Sequence, residues 1–139
     1  MDLLVNIDVP DLDKAEAFYT RALGLTVTRR FGSDGVELSG LPAKLYLLRK
    51  PRGSIGAAKQ KRSYARHWTP VHLDVVVDDL DAALQRALEA GATAESDIRV
   101  ARWGKIVVLA DPFGHGLCLL QFLNRGYDEI AERVGQPSA

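Results

Sequence analysis

A five-residue segment recurs in this chain with four of its five positions identical. Val9-Pro10-Asp11-Leu12-Asp13 returns as Val77-Asp78-Asp79-Leu80-Asp81, 68 residues further on and about half the chain away. Each copy follows an alternating apolar run, Leu3 to Val9 and Val71 to Val77, and each opens a helical pattern. A repeat constrains a fold more than local propensity does. One module cannot bury its apolar face alone, so two copies must share a core.

The first helix is expected from Leu12 to Leu23. Ala15, Phe18, Tyr19 and Leu23 fall near helical spacing on one side, with Lys14, Glu16 and Arg21 mostly on the other. The second is expected from Leu80 to Ala90, with Leu80, Ala83, Leu84, Ala87 and Leu88 as its stripe. Asp11 and Asp79 stand where N-caps belong, and Gly24 and Gly91 where helices stop. Three strand-like stretches follow each helix. The first set is Leu25–Phe31, Gly35–Leu38 and Lys44–Arg49; the second is Thr93–Ala101, Lys105–Ala110 and His115–Phe122. Glycine, proline and aspartate fill the joints. The element order is therefore βαβββ twice, an α+β architecture. Residues Tyr127 to Val134 read as a short terminal helix.

The chain has 139 residues, 47% hydrophobic and 26% charged, which bounds it to one globular domain. The expected division is module 1 at about 3–49, an inter-module loop at 50–69, module 2 at about 70–123 and a tail at 124–139. A single cysteine, Cys118, excludes an internal disulfide and fits a reducing compartment. Eighteen basic residues balance eighteen acidic ones, so net charge makes no case for nucleic acid or membrane as a partner. The opening segment is too short and too acidic for a signal peptide, and no apolar run approaches the ~20 residues of a membrane span. A cytoplasmic protein is the expectation.

Specific motifs lie on this frame. Module 1 carries Val9-Pro10-Asp11-Leu12, Phe18-Tyr19 and Ala22-Leu23-Gly24-Leu25. Module 2 carries His72-Leu73-Asp74-Val75-Val76-Val77-Asp78, Trp103-Gly104 and Asp111-Pro112-Phe113-Gly114 leading into Leu117-Cys118-Leu119. In these the chain resembles the vicinal oxygen chelate superfamily, the glyoxalase, bleomycin-resistance and extradiol-dioxygenase group, over about Leu3 to Phe122. The resemblance implies paired βαβββ modules curled into a half-barrel cleft, and a homodimer. In the metalloenzymes of that group a divalent ion sits in the cleft. The first and last strands of each module give it one ligand each, and the ion polarises substrate oxygens.

The four implied ligand positions fall here on Leu4, Tyr46, His72 and Cys118. Leucine cannot ligate, and tyrosine ligates only as a phenolate, whose ordinary pKa is ~10. His72 and Cys118 are competent ligands, but two fall short of the three or four protein ligands of ordinary sites. No cofactor and no divalent metal is therefore expected. The resemblance is nearer to the metal-free bleomycin-resistance branch, which binds a drug in the dimer cleft, or to the many metal-free members with unassigned ligands.

Strand parity puts Leu3, Val5, Ile7 and Val9 against the helix, and Leu4, Asn6 and Asp8 on the opposite face. It likewise puts Leu73, Val75 and Val77 inward, and His72, Asp74 and Val76 outward. The expected cleft thus gathers Asn6, Asp8, Tyr46, His72, Asp74 and Cys118, with Trp103 able to stack on a flat ligand or to cap the cleft mouth. His72, Asp74 and Tyr46 are the candidates for acid–base chemistry, because a carboxylate two residues along the same strand favours the imidazolium. Cys118 reads as a small buried hydrophobe or, with a lowered pKa, a nucleophile. His115 reads as a solvated turn residue. Seven basic residues, Arg49, Lys50, Arg52, Lys59, Lys61, Arg62 and Arg66, crowd a stretch without acids from Leu38 to Leu73. They read as a cationic lid for an anionic ligand or as a solvated linker. The function expected is metal-independent binding of a small organic molecule, an anionic one where the loop acts as a lid. The alternative is a divergent lyase, isomerase or dioxygenase working through His72.

Overall fold

Asp11 and Asp79 cap two helices. The Asp11 carboxylate accepts from the Lys14 amide at 3.0 Å and the Asp79 carboxylate from the Ala82 amide at 3.1 Å. Each satisfies an amide that a helix start leaves without an internal partner. In the computed structural model, which describes residues 1–132, 134 and 135, α1 spans Leu12–Leu23 and α2 Leu80–Ala90. Gly24 and Gly91 end them in left-handed conformations, φ 67° and 115°, that a side chain would strain.

Module 1 is completed by β1 (Leu4–Val9), β2 (Thr26–Phe31), β3 (Gly35–Ser39) and β4 (Lys44–Arg49). Its sheet runs β1-β4-β3-β2, with β1 and β4 parallel. Module 2 has β5 (Leu73–Val76), β6 (Thr93–Ala94), β7 (Arg99–Ala101), β8 (Gly104–Ala110) and β9 (Gly116–Phe122). Its sheet runs β5-β9-β8-β6, with β7 also on β8 and with β5 and β9 parallel. The fold is α+β: two mixed sheets, each with one helix.

Both helices bury their stripes on the same core. Ala15, Phe18 and Ala22 of α1 share one cluster with Val9, Val36, Leu38, Leu45 and Leu47 of module 1, and with Leu80, Ala83 and Ala87 of α2 and Val107, Leu109, Leu117 and Leu119 of module 2. Phe18 lies edge-on to Phe113 with ring centroids 6.3 Å apart, which joins the modules. Each large side chain so buried contributes about 1.5–3 kcal/mol.

Four expectations are corrected. Leu3 and Val71 do not extend the first strands inward; they are 70% and 85% exposed and precede β1 and β5. Leu88 lies outside its helix stripe and is exposed. Thr93–Ala101 is two strands, not one. The Glu95 amide donates to the Val108 carbonyl, and the Ser96 hydroxyl accepts from the Val108 amide at 3.0 Å, so a side chain replaces the ladder there. The terminal helix is a single 3-10 turn, Gly126–Glu129, over which Tyr127 packs on Trp103 and Phe122; Arg133, within the expected helix, lies outside the described residues. Among the described residues no helix is long and apolar enough to cross a membrane.

Candidate functional site

Strand register places the chemistry. On the sheet faces turned from the helices, Asn6, Tyr46, Glu37 and Arg29 form one row across module 1. The corresponding row of module 2 is Asp74, Cys118 and Val108. Asn6 and Tyr46 thus stand in module 1 where Asp74 and Cys118 stand in module 2.

The module 1 row is a closed hydrogen-bonded knot. The buried Glu37 carboxylate accepts from Arg29 at 2.6 Å, from Thr28 at 2.8 Å and from the Tyr46 hydroxyl at 2.6 Å. Arg29, then Tyr46 and Thr28, hold the carboxyl down at about 2. Glu37 in turn pushes the Tyr46 phenol above its ordinary range, with desolvation adding to the rise. Tyr46 is a committed donor.

His72 and Asp74 project from the start of β5, with His72 Nδ1 3.2 Å from Asp74 Oδ1 and both side chains a little over one-third exposed. The Trp68 ring lies against the His72 ring, centroids 4.7 Å apart. Cys118 is buried beside them, and burial together with the Asp74 carboxylate pushes its thiol up to about 11. That removes the nucleophile reading, since a nucleophile needs a thiolate at neutral pH. One nitrogen of His72, one oxygen of Asp74 and the Cys118 sulfur lie within 4.8 Å of one another.

A cavity of about 390 Å³ opens where β1 and β5 come together without pairing. Its apolar walls are Val5, Ile7, Leu73 and Val75; its polar groups include Asn6, Asp8, His72, Tyr19 and His115. His115 is not a solvated turn residue. Its Nδ1 lies 2.8 Å from the Asp111 carboxylate, whose side chain is wholly buried. The same carboxylate accepts from the Tyr19 hydroxyl at 2.6 Å and from the Phe113 and His115 amides at 2.8 and 2.9 Å. Burial, then Asp111, pushes the Tyr19 phenol far up.

The basic loop is built into the fold. Arg62 pairs with Asp8 at 2.8 Å and donates to the Ile55 carbonyl, Arg66 pairs with Glu95, and the Tyr64 hydroxyl donates to the Lys50 carbonyl. The loop also presses on Gly114 and Gly116: a Cβ on either would collide with Tyr64 or with Arg66 and Trp68. A second, more open hollow, about 650 Å³, lies beside Tyr46 and Phe31 with Arg49, Lys50 and Arg62 at its edge.

Of the expected cleft residues, Asn6, Asp8 and His72 share the seam cavity. Asp74 lines a neighbouring apolar hollow with Leu41 and Pro42, Tyr46 faces the hollow beside Phe31, and Cys118 lies beneath Asp74. Trp103 is elsewhere, stacked on Tyr127. Glu37, Asp111 and His115 went unremarked as site residues. A lone acid in the apolar run Val36-Glu37-Leu38, one strand from Arg29, was the available signal for Glu37.

Two βαβββ modules, each with its first and last strands parallel and adjacent, define a vicinal oxygen chelate protein. Within that class the chain belongs to the glyoxalase-like domain family, which matches residues 4–120. Among solved structures it is similar to a glyoxalase/bleomycin resistance protein/dioxygenase family enzyme of Burkholderia phytofirmans. That likeness has TM-score 0.69 and 19% identity, covering 88% of this chain and 100% of the other. It is also similar to the lactoylglutathione lyase of Agrobacterium tumefaciens, at TM-score 0.62 and 20% identity, over 87% and 92%. At such identities the likeness is one of fold. An uncharacterized protein of Mycobacterium bovis is 50% identical over 48 residues, 34% of this chain and 32% of that one. The match therefore spans about a third of that relative's length.

Proposed function

We propose that the chain binds a small organic molecule in the seam cavity, without the metal centre that spans both modules in the superfamily's enzymes. The cavity carries this reading. Its roughly 390 Å³ falls within the range of small-ligand sites, and aliphatic walls with a few convergent polar groups are the usual lining. The two-module metal centre does not fit these residues. Leu4 has no donor atom, and the Tyr46 hydroxyl hydrogen is held by Glu37. A sequestering, resistance-type role in the cytoplasm, as a homodimer, belongs to this reading. An anionic ligand would be drawn by the loop cations Arg49, Lys50 and Arg62, which edge the second hollow and do not line the seam cavity.

The test is a thermal-shift screen of small organic acids and aromatic drugs, run with a chelator. A ligand at 100 times its Kd stabilises by about 2.7 kcal/mol. Val75→Trp, which fills the cavity, abolishes that shift if the cavity is the site. A shift unchanged in Val75→Trp refutes the location, and affinity for an anion that ignores salt refutes the cationic contribution. Light scattering that finds only monomer refutes the dimer.

One observation favours an enzyme. Asp74 orients His72 at 3.2 Å, and Trp68 stacks on its ring, an arrangement suited to proton transfer at the cavity edge. Turnover of a bound compound, lost in His72→Ala with affinity retained, would replace the binding role with a catalytic one.

A further inference from the structure

The donors that fail to assemble across the two modules regroup within the second. β5 begins beside His72, so His72 and Asp74, two residues apart, share a face. The parallel register of β5 on β9 then sets Cys118 directly beside Asp74. The result is one nitrogen, one oxygen and one sulfur within 4.8 Å of one another. Elsewhere the buried carboxylates are committed: Glu37 to Arg29, Thr28 and Tyr46, and Asp111 to Tyr19, His115 and two amides.

We infer that His72, Asp74 and Cys118 form a binding site for a borderline-soft divalent ion of the zinc type, held by module 2 alone. The donor set selects the ion. A mixed nitrogen, oxygen and sulfur set suits zinc or cobalt, whereas calcium and magnesium call for oxygen ligands throughout. Bonds of ~2.0–2.3 Å in a tetrahedral centre set neighbouring donors roughly 3.3–3.7 Å apart. His72 Nδ1 and Asp74 Oδ1 are already at 3.2 Å. Both side chains are partly exposed, so small changes of side-chain angle can close the remaining distance, while buried Cys118 supplies the fixed point. Three protein ligands leave a fourth position to water. Trp68 packs against the His72 ring. On binding, the Cys118 thiol releases its proton to solvent, and thiolate and carboxylate neutralise the ion's two charges while His72 binds neutral.

This site differs from the two-module centre in drawing nothing from module 1 and in using Asp74. It does not rest on the ligand reading above, which is tested with a chelator present.

The experiment is a titration of metal-free, untagged protein with cobalt(II) chloride alone. One equivalent should develop a thiolate-to-cobalt charge-transfer band in the near ultraviolet together with the visible bands of a four-coordinate ion, and zinc should displace it. Cys118→Ser should lose the charge-transfer band. His72→Ala and Asp74→Asn, at surface positions that leave folding intact, should each weaken cobalt binding at least roughly tenfold. Tyr46→Phe should leave the spectrum unchanged. Absence of the band in the native chain, undiminished binding in His72→Ala, or loss of binding in Tyr46→Phe would each overturn the site. Should Cys118→Ser fail to fold, the His72 and Asp74 variants decide.

Discussion

Removing the Tyr19 hydroxyl tests what holds the modules together. Tyr19 sits on α1 of module 1, and its hydroxyl donates at 2.6 Å to Asp111, 92 residues away in the β8–β9 turn of module 2. No ladder joins β1 to β5 among the described residues, so this bond, the Phe18–Phe113 contact and the packing of α1 on α2 carry the join. A buried hydrogen bond to a charged group is worth about 1.5–3 kcal/mol. In Tyr19→Phe the Asp111 carboxylate keeps two amides and His115, so the loss should fall near the middle of that range, about 2 kcal/mol. For a domain of this size that lowers Tm by roughly 6–10 °C. Urea denaturation of Tyr19→Phe, Asp111→Asn and the double variant gives the coupling directly, and an interaction energy of about 1.5–2 kcal/mol is expected. Asp111→Asn alone should cost more, since its amide opposes donors on Tyr19 and His115. A Tyr19→Phe effect within about 0.5 kcal/mol of zero, or strict additivity, would refute the reasoning, because the hydroxyl would then be exchanging protein for water at no loss.

Three further outcomes follow from the same geometry. Glu37 is held at about 2 against an ordinary 4.5, so the native state binds fewer protons than the unfolded chain between those values. Its stabilisation is complete above about pH 4.5 and is lost as pH falls towards 2; Glu37→Gln should flatten that limb of the urea midpoint against pH, and an unchanged limb would count against the knot. With its thiol up at about 11 and buried, Cys118 should resist iodoacetamide at neutral pH in metal-free folded protein and react once the chain is denatured, read by mass spectrometry. Gly114→Ala should lower Tm sharply, because Gly114 has φ +93° and a Cβ there collides with the Tyr64 carbonyl. A Tm unchanged by that substitution would mean the loop does not rest on the turn.

Much of the frame was legible because it rests on short-range rules. Asp11 with Gly24 and Asp79 with Gly91 bracket both helices at the expected residues, and alternation assigned Val5, Ile7, Val75 and Val77 to the inner face. Failures came where a side chain took over a backbone role or a partner lay far along the chain. Ser96 interrupts a strand by standing in for a carbonyl, which apolar alternation cannot register. His115 looked like a turn residue because its partner, Asp111, is buried by Tyr19 from the other module. The loop's cations looked unopposed because Asp8 and Glu95, which pair with Arg62 and Arg66, lie 54 and 29 residues away. The candidate site was legible as a set of residue types, not as a grouping. Parity put His72 and Asp74 together, but only the register of β5 on β9 shows that Asp74, more than Tyr46, is the neighbour of Cys118.

The unpaired meeting of β1 and β5 also bears on mechanics. Every other neighbouring strand in either sheet is stitched by backbone hydrogen bonds that are lost if the strands part. Along the seam the cavity walls are Val5, Ile7, Leu73 and Val75, side chains whose contacts are weak, graded and without direction. The two sheets are therefore joined by side chains and helix packing, through Tyr19 and Asp111, Phe18 and Phe113, and α1 on α2, and not by a backbone ladder. If the cavity binds a small molecule as proposed, widening it would break no backbone hydrogen bond between β1 and β5. On that reading, ligands matched in polarity but differing in size should differ less in affinity than ligands matched in size but differing in polarity.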